Sequence, residues 1–296
     1  MSGAFTRGWY RLFLRTFPPA HRAEYGAEML DTLLNDTSRR APSPRETAGL
    51  LTAGFAARAR AAAGEAGPWW ADGVHLGLLM LALANLAYGI GDHASPGWLA
   101  ASAVLVVALL RGWALMVLPL ALAVAFSTGR AMLVGAETTS WPPQFFGPAY
   151  HNWASLAPYS VLAIGAMALA AIRAGNLSGP RALRVRPLWW LVIPAAALAL
   201  TSMPGSREYG ETWQLVRAGT EGVLLLAGVL ATAIARSPRW ALAATIYVLP
   251  AVASPLTNPP SNAQDTGYWL TLTGLLLAMA ATAWRPQPVP ERRHPQ

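Results

Sequence analysis

The fold is decided by the stretch from Trp153 to Arg173, which reads WASLAPYSVLAIGAMALAAIR. It is about twenty residues long and carries no charge before its final arginine, so as an α-helix it is long enough to cross a bilayer. Further apolar runs lie on both sides of it along the chain. The pattern therefore predicts an all-α, polytopic membrane protein.

Eight apolar runs are candidate transmembrane helices, and tryptophan begins or ends most of them, as an interfacial belt requires. They are Gly73–Ile90, Trp98–Leu110, Trp113–Ser127, Trp153–Ala171, Leu188–Met203, Trp213–Ala235, Trp240–Pro255 and Thr266–Trp284. The second and third runs are too long together for one crossing, and a single helix would bury Arg111 in the bilayer at high cost. We therefore expect a helical hairpin with its turn at Arg111 and Gly112.

The composition agrees with this class, because 54% of the residues are hydrophobic and only 12% are charged, about half the share usual in soluble domains. The net charge is +8, and all 22 residues counted as lysine or arginine are arginine. They lie in short segments between apolar runs, which is typical of membrane topology, so we expect no nucleic-acid binding. The chain has no cysteine and therefore no disulfide or thiolate.

The arginine distribution predicts the orientation in the membrane. With the N-terminus in the cytoplasm, nineteen of the 22 arginines fall in inner segments. Arg130, Arg207 and Arg217 fall at the outer side. Eight spans then place the C-terminus in the cytoplasm as well.

Residues 1–67 read as three short cytosolic helices. In the first, apolar residues fall on one side and arginines form a stripe: Trp9, Leu12, Phe13 and Phe17, and Arg7, Arg11 and Arg15. The second runs over residues 20–35, and the third begins with Ser43 as N-cap, Pro44 at the first helical position and Glu46 at the third. We expect either a small domain that packs on itself or on the membrane part, or a first helix lying among lipid headgroups with its arginines on anionic lipid.

The residues YRLFLRTFP (10–18), followed by HRAEYGAEML (21–30), resemble the prefix segment of some bacterial permease-like membrane proteins. Phe17 stands where that segment usually has tyrosine, and the likeness covers about 25 residues. The family resemblance implies a bacterial cell membrane location and a cytosolic adaptor module, found on ABC-type permeases or on membrane proteins encoded beside PadR-type regulators. It implies no catalytic residues, and the chain lacks the large extracytoplasmic domain of such permeases.

An internal repeat is also indicated, because Pro68-Trp69-Trp70 opens the first span and Pro187-Leu188-Trp189-Trp190 opens the fifth. Val117-Leu118-Pro119 is echoed by Val248-Leu249-Pro250. The alternative is that proline and tryptophan are simply common at membrane interfaces. If the repeat is real, it predicts a pseudo-two-fold axis along the membrane normal and a candidate site between the halves. We expect a prefix domain, two four-helix halves joined by a basic linker, and a disordered tail: residues 1–67, 68–172, 173–186, 187–285 and 286–296.

The charged and polar residues inside the apolar runs are the first candidate site. Arg217 and Glu221 are four residues apart near the outer end of the sixth span and share a helix face. Glu221 is a candidate to bind a proton or a cationic ligand, the alternative being that it only neutralises Arg217. Asn85 lies within the first span, where an interhelical hydrogen bond is the usual role.

A second candidate is an aromatic ligand platform in the longest outer loop, made by Trp141, Phe145, Tyr150 and His151, unless that loop is simply an interfacial segment. Asp72 and His75, and Asp92 and His93, are close in sequence, but a metal site needs three or four convergent ligands, so we expect no metal. No Walker A sequence, no G-x-S-x-G elbow and no paired serine and histidine occur, so we expect no catalysis and no cofactor.

These observations favour a non-catalytic membrane partner or sensor that couples the membrane bundle to a cytosolic regulator or transporter subunit through residues 1–67. The alternative is a permease with a site between the two halves. A membrane enzyme is the third class, which the missing motifs disfavour.

Overall fold

The computed structural model describes residues 2–35, 43–64, 68–91, 94–134, 156–175, 183–202, 210–252 and 263–284. Within these ranges the chain is helical, with eleven α-helices and no strand. The helices are α1 Ser2–Leu14, α2 Pro19–Asn35, α3 Pro44–Gly64, α4 Trp69–Gly91, α5 Pro96–Arg111, α6 Ala114–Val134, α7 Ala157–Gly175, α8 Val192–Thr201, α9 Gly210–Ala235, α10 Arg239–Ala251 and α11 Ala263–Ala283. A short 3-10 helix, Leu188–Leu191, leads into α8.

Four of these helices are long and apolar enough to cross a membrane, namely Trp69–Gly91, Ala157–Ala174, Ala218–Ala235 and Thr266–Ala283. Each coincides with one of the eight predicted spans. The stretches Pro96–Arg111, Ala114–Gly129 and Leu188–Leu200 are apolar but shorter, and α10 has 13 residues. A helix of that length covers about 20 Å, less than the roughly 30 Å of hydrocarbon core. The chain is therefore an all-α protein with membrane-compatible helices, and the count of eight crossings stays a prediction.

The predicted hairpin turn is present. α5 ends at Arg111, and Gly112 follows with φ +69°, a left-handed conformation that glycine adopts without steric cost. The N–H of Gly112 donates to the carbonyl of Leu109, and α6 begins at Ala114. The chain thus reverses within two residues, because the glycine caps the helix.

The chain divides into two compact units. The first comprises Met1–Ala66, Leu230–Ser237 and Arg285–Gln296, and the second comprises Gly67–Val229 and Pro238–Trp284. In the first unit, α1, α2 and α3 enclose a small core of Tyr10, Leu14, Phe17 and Leu50. Leu12, which the sequence places on one side of the first helix with Trp9, Phe13 and Phe17, is 55% exposed. The buried face of α1 instead follows Thr6, Tyr10 and Leu14, four residues apart.

Two polar side chains of α3 form hydrogen bonds beside this core that the local sequence does not reveal. The Arg58 guanidinium donates hydrogen bonds to the backbone carbonyls of Arg15, Thr16 and Phe17, just after α1 ends, where the last carbonyls of a helix lack partners. Glu46, expected in a capping box, accepts a hydrogen bond from the Tyr10 hydroxyl at 2.5 Å. Both contacts join α1 to α3 and stabilise the packing of the three helices.

The second unit is built around α4, which packs against α5, α7, α8 and α10. The contact between α4 and α10 is close because Gly73 and Gly77 face it. A Cβ on Gly73 would lie 2.9 Å from the Arg239 carbonyl oxygen, and one on Gly77 would lie 2.8 Å from Ile246 Cβ. This is the small-xxx-small pattern by which membrane helices approach each other.

Candidate functional site

Glu221 lies in α9 and is 7% exposed. Both of its carboxylate oxygens accept hydrogen bonds from tyrosines. The Tyr247 hydroxyl of α10 donates to Oε1 at 2.5 Å, and the Tyr268 hydroxyl of α11 donates to Oε2 at 2.5 Å. The carboxylate therefore joins three helices, and the two tyrosine hydroxyls are neutral donors.

A cavity of about 250 Å³ adjoins this carboxylate. Its walls come from α4, from the 3-10 helix with α8, and from α9 and α10, and they are mainly apolar, including Leu83, Ala84, Trp190, Ile193, Ala196 and Leu224. Tyr88, Thr220, Glu221 and Tyr247 provide its polar groups. An apolar chamber with a few polar groups at its wall is the usual form of a small-molecule site.

The volume and the chemistry restrict what the cavity can hold. The cavity volume is slightly below the range of about 300–1,000 Å³ that is typical of pockets for drug-sized ligands, so the cavity fits a smaller molecule. Glu221 lines the cavity, and a carboxylate accepts hydrogen bonds from neutral donors or from an ammonium group. The geometry suits a small apolar molecule that carries a hydrogen-bond donor or an ammonium group.

The predicted polar site is brought together only in part. Arg217 lies in α9, one turn before Glu221, but its side chain lies outside the described residues. Asn85 lies in α4 beside Ala84, yet it does not line the cavity. Its Nδ2 is buried and has no hydrogen-bond partner within the described part of the chain, so the interhelical bond expected from the sequence is not seen there.

Tyr247 and Tyr268 are functional candidates that the sequence interpretation missed. A signal was present, because each is a hydroxyl-bearing residue within a predicted apolar span, as Glu221 is a carboxylate within one. Twenty-six and 47 residues separate them from Glu221, so only the packing of α9, α10 and α11 reveals the cluster.

The predicted outer-loop platform of Trp141, Phe145, Tyr150 and His151 lies outside the described residues, and so do Asp92 and His93. In the predicted surface, Arg7 and Arg11 lie on α1 and Arg15 directly follows its last residue, and all three arginines are exposed. Phe5 and Leu12, 64% and 55% exposed, lie on the same helix. We call these five residues the α1 patch.

Asp72 and His75 do not form a joint site. The carboxylate of Asp72 accepts hydrogen bonds from Arg186 Nη2 at 2.5 Å and Arg239 Nη1 at 3.0 Å, whereas His75 Nε2 donates to the Leu109 carbonyl at 2.7 Å. Within the described ranges no group of three histidine, aspartate or glutamate side chains could hold a metal ion. We call Asp72, Arg186 and Arg239 the arginine cluster.

Comparison of the chain with protein-family models, with curated proteins and with solved structures finds no match.

Proposed function

We propose that the chain is a non-catalytic, multi-pass membrane sensor of the bacterial cell membrane, whose helical bundle binds a small lipophilic amine in the cavity beside Glu221. The observation that carries this proposal is the cavity itself, an apolar chamber with a buried carboxylate at its wall. Such a site recognises an apolar body through its walls and a cationic or donor group through the carboxylate.

The tyrosines position the carboxylate at the cavity. The Tyr247 and Tyr268 hydroxyls each donate a hydrogen bond to Glu221, and because a phenol hydroxyl is neutral these two bonds do not cancel the charge of the carboxylate. Aromatic side chains that line the same cavity, such as Tyr247 and Trp190, also attract a cation.

The α1 patch supports a sensor that acts on a partner. It combines three exposed arginines with exposed Phe5 and Leu12 on a helix without acidic residues. We propose that residues 1–67, which resemble a permease prefix segment, dock a cytosolic regulator or an ABC-type transporter subunit. In this proposal the chain crosses the membrane eight times, with both termini in the cytoplasm, as its arginine distribution favours.

Ligand binding to the purified full-length chain in detergent tests the cavity. We expect small alkyl or aryl amines to change tryptophan fluorescence saturably, because Trp190 lines the cavity. Ala84→Phe fills the cavity and should weaken binding at least tenfold, whereas the matched control Ala280→Phe, on an exposed position of α11, should not. Equal binding by both variants would remove the proposed site.

A permease is the second candidate, favoured by the position of the cavity between α4 of the first predicted half and α8, α9 and α10 of the second. Proteoliposomes separate the two functions. A sensor binds the amine without moving it, so labelled amine should equilibrate no faster than in empty liposomes. Faster uptake that Ala84→Phe abolishes would show transport instead.

A further inference from the structure

The arginine cluster lies where four chain segments meet at one end of the second unit. Asp72 is in the first turn of α4, and Arg239 is the first residue of α10. Arg186 precedes the 3-10 helix, and its backbone N–H donates to the carbonyl of Leu110 near the end of α5 at 2.8 Å. The four segments were all predicted from arginine content to face the cytoplasm, and the contacts place them together.

Two buried guanidinium groups at this end share the carboxylate of Asp72. They belong to Arg186 and Arg239, which are 8% and 4% exposed. The Nε of Arg186 is buried without a hydrogen-bond partner within the described residues. Burial lowers the pKa of Arg186, Asp72 counteracts this effect, and Arg184 and Arg239 lower the pKa further. Since arginine stays protonated in proteins, Arg186 favours a further acceptor near this end of the bundle.

Two more arginines lie beside the cluster on adjoining segments. A Cβ on Gly112 would lie 2.7 Å from the Leu183 carbonyl oxygen, so the Arg111–Gly112 turn runs directly against residues 183–186. Arg111 is exposed and Arg184 is partly exposed. The turn that carries Arg111 and the segment that carries Arg184 therefore adjoin the arginine cluster.

Exposed tryptophans mark the depth of this end. Three exposed tryptophans lie within three residues of Asp72, Gly112 and Arg186 along the chain. They are Trp69, Trp113 and Trp189, which are 44%, 51% and 57% exposed. Tryptophan on membrane helices concentrates at the level of the lipid headgroups. The arginines therefore lie where phospholipid phosphates lie.

We propose that this end of the bundle binds the headgroup of an anionic phospholipid, with Arg111 and Arg184 at the phosphate and the arginine cluster supplying positive charge behind them. Basic pockets between transmembrane helices recognise lipid in this way. The proposal is independent of what the cavity beside Glu221 holds.

Native mass spectrometry of the full-length chain, titrated in detergent with phosphatidylglycerol or with phosphatidylcholine of the same acyl chains, tests it. We expect phosphatidylglycerol to bind the wild-type chain at least about tenfold more tightly. The paired substitution Arg111→Gln and Arg184→Gln should remove that preference, while the matched pair Arg45→Gln and Arg60→Gln, at exposed positions of α3, should retain it.

Two further experiments test whether charge alone is required and whether the site binds a lipid or a free phosphate. Arg111→Lys with Arg184→Lys keeps both charges and should retain the preference, and millimolar inorganic phosphate should not displace the lipid. The proposal fails if the wild-type chain binds both lipids equally, if the glutamine pair keeps the preference, if the lysine pair loses it, or if phosphate displaces the lipid, which would indicate a small-anion site.

Discussion

Two carboxylates in the second unit are held by donors of different kinds. Asp72 is bound by two guanidinium groups at 2.5 and 3.0 Å, whereas Glu221 accepts hydrogen bonds from two phenol hydroxyls at 2.5 Å each. Asp72 ties the ends of chain segments together, and Glu221 adjoins a cavity. Guanidinium groups that cannot lose their proton make a permanent tie, while the position of Glu221 at the wall of a cavity lets a ligand reach its carboxylate.

The largest effect is expected at Asp72. Asp72→Ala leaves Arg186 and Arg239 buried without their carboxylate, and breaking a buried pair in this way costs about 3–5 kcal/mol. We expect a much lower thermal midpoint in detergent. Asp31→Ala, at an exposed position of α2, should change the stability by less than about 0.5 kcal/mol. If the two variants unfold at the same temperature, Asp72 is not a structural tie.

The next largest effect is expected where α4 meets α10, since α10 provides both Arg239 for Asp72 and Tyr247 for Glu221. Gly77→Val puts a side chain against Ile246 and the Ala243 carbonyl, and overpacking of this kind costs about 1–3 kcal/mol. Gly267→Val in α11 is the control, because a Cβ there meets nothing within 4 Å. Equal thermal midpoints for the two variants would contradict the close approach.

A smaller effect is expected at the tyrosines of Glu221. Tyr268→Phe removes one of two hydrogen bonds to the carboxylate, and a hydrogen bond between membrane helices contributes about 0.6 kcal/mol and at most about 1.7 kcal/mol. The loss of stability should therefore be well below that of Asp72→Ala. Tyr25→Phe, on the exposed part of α2, serves as control. A loss as large as that of Asp72→Ala would mean that Glu221 is also a structural tie.

The smallest effect concerns Tyr10 and Glu46, a tyrosine–carboxylate pair in the first unit. Burial raises the pKa of Tyr10 above its ordinary value of 10, and the bond to Glu46 raises it further. As pH rises through 10, the unfolded chain loses the phenol proton of Tyr10 before the folded chain does, so the stability of the folded state falls. Well below pH 10 both states keep this proton, and the difference in pKa has no effect on stability. Between about pH 9 and pH 11, Tyr10→Phe should therefore lose stability less steeply than the wild-type chain. Identical slopes would exclude this linkage.

Local signals in the sequence were enough to place most helices. The uncharged run ending at Arg173 corresponds to α7, Ala157–Gly175, and the proline after Ser43 correctly starts α3 at Pro44. The Arg111–Gly112 turn was also predictable, because a glycine next to an arginine interrupts an apolar run that is too long for one crossing. These features depend on residues close together in the chain.

The two carboxylate sites could not be predicted in the same way. Asp72 lies 114 residues from Arg186 and 167 from Arg239, and sequence proximity suggested His75 instead. Glu221 was a candidate from the sequence because it is a charged residue within an apolar run, but its tyrosines come from two other helices. The spacing of Gly73 and Gly77 indicates that another helix packs closely against α4. It does not indicate that this helix is α10.

The central claim is that Glu221 recognises the amine of a small lipophilic ligand. It is tested most directly by the affinity ratio between an amine and the alcohol of the same carbon skeleton, measured by tryptophan fluorescence for the wild-type chain and for Glu221→Gln. We predict that the wild-type chain prefers the amine at least about tenfold, as expected for a charge-assisted contact of 1.4 kcal/mol or more, and that Glu221→Gln binds both equally. An undiminished preference in Glu221→Gln would contradict the account.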